Sequence, residues 1–330
     1  MKITADIVHA FIEKKYDGEL DLSNTGTWDP RQADRHDLAD LLHFYNNSFR
    51  AGLIEPPEKN LRPRPYPYDT LHVGFFLKKY LWPKISLLEK KQASAFRRDF
   101  DLLCDSGLRF PAFDPVHSEF YYSFRRKERE GTSIFFFNAN IRKYAIFNNF
   151  IASHAASDTI KNVCEIGGGY GGMCEFFLLN NNTSRYFIID LFETLSVAMT
   201  YLSNSRSAKG YGLVYLESLE ELRSLDEGGK YIIFVSFKNY QRFLKSGLPR
   251  YGHIELFINT HSLVETSKNI IADYFEFMQS FSDTHFFSSN AEHRREKNEM
   301  LSAYDFPYDA KWRHIHETLM GDNVSRMSVR

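Results

Sequence analysis

Cysteine is scarce in this chain: Cys104, Cys164 and Cys174 are the only three among 330 residues. An odd number, with two of the three in or beside apolar runs, excludes a disulfide framework and points to reduced, buried thiols in a cytoplasmic setting. An excess of charge of one sign is lacking too. Lys and Arg number 41 against 42 Asp and Glu, giving a formal net charge of −1 and a pI of about 6.9, which removes the overall electrostatic footprint of a nucleic-acid or anionic-membrane binder. No apolar run approaches the ~18 residues of a membrane span. The first turns carry Asp6, Glu13, Lys14 and Lys15, so neither an integral membrane segment nor a signal peptide is expected. Metal-ligand clusters are missing as well. His314 and His316 are two apart, which on a strand places both on one face, but no carboxylate or thiol cluster completes a site at a recognisable spacing. No metal is expected.

What the chain does have is glycine in one place. Val163-Cys164-Glu165-Ile166 reads as a strand, and Gly167-Gly168-Gly169-Tyr170-Gly171-Gly172 follows it. Glycine has no Cβ, so successive N–H groups can face a ligand, and a helix opening near Tyr170 adds its positive end. Two patterns fit. Gly167, Gly169 and Gly172 satisfy G-x-G-x-x-G, the dinucleotide fingerprint. Glu165, Gly167, Gly169 and Gly171 satisfy E-x-G-x-G-x-G, which resembles motif I of the class I S-adenosylmethionine-dependent methyltransferases. Glu165 favours the second, because a carboxylate can help hold the ammonium of the methionine end, whereas dinucleotide sites usually keep that position apolar.

Both cofactors need an acidic acceptor for ribose hydroxyls at the end of the next strand, about 20 residues on. Asp190 is there, closing the run Tyr186-Phe187-Ile188-Ile189. The segment from Met173 to about Asn180 supplies the intervening helix.

The roughly 170 residues from Lys161 onward suit one doubly wound α/β domain, so we divide the chain into residues 1–157, mainly helical, and 158–330, the cofactor-binding part. In the first part, Leu38, Leu41, Leu42, Tyr45 and Phe49 predict a helix over 34–52. Pro56, Pro57, Pro63, Pro65 and Pro67 then forbid regular structure, and further helices are expected over 84–105 and 138–157. The aromatic and basic stretch 110–137 suits a pocket wall or plain core packing. In the second part the spacing predicts a helix over 192–203, strands at 231–235, 254–258 and 285–287, a short strand at 213–216 and a helix capped by Thr266 or Ser267. Two last strands, 311–320 and 324–329, flank Gly321-Asp322-Asn323 as a β-hairpin.

Three segments narrow the resemblance: Glu165 to Gly172, Tyr186 to Leu195, and Phe257-Ile258-Asn259-Thr260-His261-Ser262-Leu263-Val264-Glu265. Together they resemble the bacterial sugar O-methyltransferase family, well over the second half of the chain and loosely over the first. The family often has Pro where this chain has Phe192, and Met where it has Thr266. The resemblance implies a Rossmann-like, seven-stranded class I sheet ending in an antiparallel hairpin, with an N-terminal mainly helical domain as lid, substrate contact or homodimer contact. It implies S-adenosylmethionine as cofactor. Glu165 would contact the methionine portion, Gly167, Gly169 and Gly171 would line the cofactor, Asp190 would hold the ribose, and Leu191 would pack on adenine. Asn259 to His261 would lie beside the transferring methyl.

A sugar hydroxyl is weakly acidic, so the chain must supply alignment and a base. His261, with an ordinary pKa of roughly 6.5, and Glu265 are the candidates. Asn290, His293 and Arg294 follow the 285–287 strand, where acceptor contacts are expected. The acceptor would be a saccharide, whether free, nucleotide-linked or the end of a surface polysaccharide. Asn-Thr-His-Ser is not the Asn/Asp-Pro-Pro-aromatic loop that grips a nucleobase amine, so no nucleic-acid substrate is expected. Two other readings stand beside this one: an N-methyltransferase or small-metabolite O-methyltransferase, and a cofactor-binding assembly protein without turnover.

Overall fold

Runs such as Tyr186-Phe187-Ile188-Ile189 and Ile232-Ile233-Phe234-Val235 point side chains to both sides of a pleated sheet and so need cover on both faces. The computed structural model of the chain describes residues 94, 97–110, 122–128, 131–137, 139–155, 160–205, 207–245, 247–248, 252–291, 301–320 and 323–330. These fall into two compact units, 94–148 and 149–330.

The first unit contains a helix over 97–105 and an antiparallel hairpin of β1 (Tyr122–Glu128) and β2 (Gly131–Phe137). Its register runs from Tyr122 opposite Phe137 to Glu128 opposite Gly131. Within the stretch 110–137, residues 122–128 and 131–137 thus form a two-stranded element, and 111–121 lie outside the described residues. Helix α1 (Ala139–His154) follows, as the sequence predicts. Arg142 Nε donates to Asp99 Oδ2 at 2.6 Å within this unit. The helix expected over 34–52 and the proline segment 56–67 lie outside the described residues.

The second unit is an eight-stranded sheet built in the order β3 (Asn162–Ile166), α2 (Gly172–Asn180), β4 (Arg185–Asp190), α3 (Phe192–Asn204), β5 (Gly212–Tyr215), α4 (Leu219–Ser224), β6 (Tyr231–Ser236), β7 (Leu256–Thr260), α5 (Lys268–Met278), β8 (His285–Ala291), β9 (Arg313–Met320) and β10 (Asn323–Val329). Across the sheet the strands run β5-β6-β4-β3-β7-β8-β10-β9. The first six are parallel, and β10 is antiparallel to both its neighbours. This is the Rossmann-like sheet with a terminal hairpin that the sequence predicts, with one correction: it has eight strands rather than seven. The short run at Leu213 is a separate edge strand, and β6 lies between it and β4.

One face of the sheet carries an apolar row in direct register, Ile233, Phe187, Cys164, Phe257 and Phe286, covered by Ile271, Phe275 and Phe277 of α5. The next row toward the strand ends changes character halfway. Val235, Ile189 and Ile166 are apolar, but Asn259, Ser288, Arg326 and Glu317 continue it across β7, β8, β10 and β9. On the opposite face Phe177 of α2 packs against Tyr186, and Phe150, in the last turns of α1 that belong to this unit, packs against Phe287.

A β-bulge on the β9–β10 ladder overturns the expectation that His314 and His316 share a face. His316 stands opposite Met327 and His314 opposite Ser328, so one extra β9 residue lies between two adjacent partners. His314 therefore packs on Tyr308, while His316 stacks on His154 at 4.5 Å. Among the described residues no helix is long and apolar enough to cross a membrane, and no group of three potential metal ligands occurs.

Phe257 is fully buried at the centre of the core, with Phe277 and Phe281 at ring distances of 5.7 and 5.5 Å. Phe257→Ala is expected to lower the unfolding free energy by about 3–5 kcal/mol, read from urea melts. A loss below about 1 kcal/mol would show that the sheet does not depend on this row.

Candidate functional site

The strand ends β3, β4 and β7 meet at the glycine loop, and the loop's backbone is dictated by what surrounds it. Gly167 has φ +73° and sends its N–H to Ile189 O at 2.8 Å, which fastens the loop to β4. A Cβ there would sit 2.0 Å from Ser262 Oγ, whereas one on Gly169, φ +56°, would meet nothing within 4 Å. The two glycines do different work. Gly167 admits the chain after β7, and Gly169 leaves open space above the loop.

Asp190 is half-buried at the end of β4 and takes two backbone N–H groups: Gly169 N at 2.8 Å on Oδ2 and Leu191 N at 2.7 Å on Oδ1. The loop and the first turn of α3 are therefore fixed by one carboxylate, a group that only accepts. Leu191 caps α3 and is half-buried beside it.

Glu165 lies beneath the loop, 1 % exposed, and its Oε2 accepts from Tyr186 Oη at 2.9 Å. The same oxygen would be 3.3 Å from a Cβ on Gly168. Burial, then the Glu165 charge, pushes Tyr186 well above its ordinary pKa, so it remains a donor. Burial and then the Glu165 charge push the Cys164 and Cys174 thiols up as well, Glu175 adding to the second, which keeps them protonated and inert at neutral pH. A second buried carboxylate, Glu175 in the first turn of α2, accepts from Tyr201 Oη and Ser205 Oγ of and beside α3. The sequence reading missed Tyr186, Tyr201, Ser205 and Ser262 as parts of this frame. Hydroxyls on predicted apolar faces were the available signal.

On the other side of β3, Asn259 is fully buried. Its Nδ2 donates to Ile166 O at 2.8 Å and also approaches Ser262 Oγ, which itself donates to Ile166 O at 3.0 Å. Asn259 Oδ1 then accepts from Asn290 Nδ2 at 2.8 Å. His261 is half-buried, with φ +69°, and its N–H donates to Ser289 O at 2.9 Å. A non-glycine residue held in the left-handed region stores strain of the kind found at functional sites. Glu265 lies exposed in the short 3-10 turn Leu263–Glu265. Glu165, Gly167, Gly169, Gly171, Asp190, Leu191, Asn259, His261 and Asn290 thus belong to adjoining strand ends and the turns that follow them, whereas His293 and Arg294 lie outside the described residues.

No family model and no curated protein matches the chain. Among solved structures it is similar to the methyltransferase domain of bacterial CtHen1, at 12% identity over 56% of this chain and 97% of that one, with a TM-score of 0.34. It is also similar to magnesium protoporphyrin IX methyltransferase from Synechocystis PCC 6803 with bound S-adenosylmethionine, at 13% identity over 58% and 82%, with a TM-score of 0.36. The 16S rRNA methylase ArmA matches at 12% identity over 58% and 86%, with a TM-score of 0.33. Scores at this level leave the fold to be read from the strand order itself.

The contrast between the two glycines is measurable. Gly169→Ala is expected to cost only the left-handed strain, about 1–2 kcal/mol. Gly167→Ala adds an overlap with Ser262 and is expected to cost at least about twice as much, since overpacking a fixed contact adds ~1–3 kcal/mol. Equal losses in denaturant melts would contradict the assigned packing.

Proposed function

We propose that the chain is an S-adenosylmethionine-dependent O-methyltransferase acting on a saccharide hydroxyl. The observation that carries this reading is the pairing of Asp190 with the glycine loop, above a buried acidic residue at the end of the preceding strand. The residues present fit the cofactor on their own chemistry. Open space above Gly169 admits a ligand against the backbone, and the Asp190 carboxylate can accept ribose hydroxyls beyond the two N–H groups it already binds. Glu165 supplies negative charge below the place where the cationic methionine end would lie, and Leu191 an apolar contact for adenine. When bound, S-adenosylmethionine supplies an activated sulfonium methyl that needs no further electrophilic help.

The chain's own residues then have two tasks. The strand ends must hold the acceptor oxygen in line with the methyl, and a base must take its proton. His261 suits the second task. Its backbone is pinned by Ser289 O in a strained conformation directly after β7, so its position is set by the sheet rather than by a loose loop. Glu265 lies exposed on the turn four residues after His261, and its part is to orient the imidazole. The free energy of positioning comes from the sheet, and the imidazole supplies the proton transfer.

Calorimetry tests the cofactor. S-adenosylmethionine should bind, and Asp190→Ala should weaken it by about tenfold or more, the cost of charge-assisted hydrogen bonds to the ribose. Tight NAD binding with no response to S-adenosylmethionine would overturn the reading. For the base, His261→Gln is expected to lower kcat by about 10²–10⁴-fold with the cofactor Kd unchanged. In the wild type the rate should fall at low pH as the imidazole gains a proton and can no longer accept one, and this limb should vanish in the variant. A wild-type profile with no acid limb would remove His261 from the base role.

A further inference from the structure

The amide chain beside the glycine loop has a direction. Ile166 O can only accept, so the Asn259 group facing it is the NH₂, which leaves Asn259 Oδ1 to accept. The Asn290 group facing that oxygen must in turn be its NH₂. Asn290 Oδ1 is left over. It is fully buried and has no hydrogen-bond partner, a state that costs stability unless a donor arrives from elsewhere.

Its place in the sheet indicates which donor. Asp190 and the glycine loop lie at β4 and β3, while Asn290 lies two strands further along on β8, past β7, two residues beyond Ser288 of the polar half-row. The neighbouring side chains are built rather than loose. Arg326, 5 % exposed and opposite Ser288, gives Nε and Nη2 to Glu317 Oε2 at 2.7 and 2.5 Å and Nη1 to Ala303 O at 3.4 Å. Its guanidinium lies over the rings of Tyr308 and Tyr304, 5.6 Å from the centre of each. Tyr304 is thereby held in place with 47 % of its surface exposed.

We propose that Asn290 Oδ1 and the exposed Tyr304 ring are the polar and apolar contacts of an acceptor subsite at the end of β8 and the start of β10, taking a polyhydroxylated ring, a saccharide. A sugar offers hydroxyl donors on its edge and C–H groups on its face, which matches one unfilled acceptor opposite Val324 and one fixed aromatic surface over Arg326, two residues along the same strand. The inference rests on the proposed methyl transfer. Because the Asn290 oxygen is fully buried, its donor must be a hydroxyl that is itself buried on binding.

Kinetics on the full chain separate the possibilities. Methyl transfer from S-adenosylmethionine is measured into glucose, mannose, rhamnose and UDP-glucose, alongside the Kd for S-adenosylhomocysteine. For whichever sugar is methylated, Tyr304→Ala should raise KM about tenfold with kcat kept. Tyr304 is half exposed, so this variant should fold. Asn290→Ala should raise KM at least as much, and S-adenosylhomocysteine affinity should stay within about twofold in both. Asn290→Ser, which keeps a donor for Asn259, should behave as Asn290→Ala does if folding is not the cause. A sugar methylated with unchanged KM in these variants overturns the subsite and leaves the sugar reading intact. A tenfold loss of S-adenosylhomocysteine affinity in Asn290→Ala assigns the oxygen to the cofactor and also overturns it. If the wild type binds S-adenosylhomocysteine and methylates none of the sugars, the sugar reading fails and the subsite with it.

Discussion

The carbonyl of Ile166 organises this site. It is the last strand carbonyl before the glycine loop, and it accepts both Asn259 Nδ2 and Ser262 Oγ from the far end of β7. One acceptor therefore sets how close β7 can come to the loop, why residue 167 must be glycine, and which way the Asn259 and Asn290 amides face. Buried hydrogen bonds of this kind matter less for their net energy than for the cost of leaving any of them unmade. The network permits one arrangement of the strand ends.

The same carbonyl marks a division in the sheet. On the β3, β4 and β6 side the terminal row is apolar, and Asp190, the residue that follows it on β4, is occupied with the loop backbone. On the β7, β8 and β10 side the row is Asn259, Ser288 and Arg326. In open α/β sheets ligands bind beyond the carboxyl ends of the strands. A two-substrate reaction suits such a partition, with an apolar floor under one partner and a polar one under the other. Beneath the loop, Glu165 and Glu175 are both buried and held by hydroxyl donors. They place negative charge where a cationic ligand would be favoured.

How much of this was legible beforehand depended on whether the signal was local. Unbroken apolar runs at Tyr186 and Ile232 announced doubly covered strands, and Glu165, Gly167 and Asp190 stood at spacings that a βαβ unit enforces. Pairing and registers that depend on distant residues were not legible. The short strand expected at 213–216 is β5, but its place at the sheet edge beyond β6 depends on pairing with a distant segment. The bulge that parts His314 from His316 arises in the ladder with β10, so period-two counting along β9 put both on one face. Ser262 lay within the quoted motif, but its role under Gly167 requires two chain segments nearly 100 residues apart to touch.

The central claim is that the open space above Gly169, bounded by Asp190 and underlain by Glu165, receives S-adenosylmethionine. The most direct measurement is a crystal structure of the chain grown with that compound. The account predicts the ribose hydroxyls on the Asp190 carboxylate, the methionine end over Gly167 to Gly169, and the methyl directed toward His261 at the end of β7. Density for the cofactor at any other edge of the sheet, or a ribose that does not touch Asp190, would contradict it.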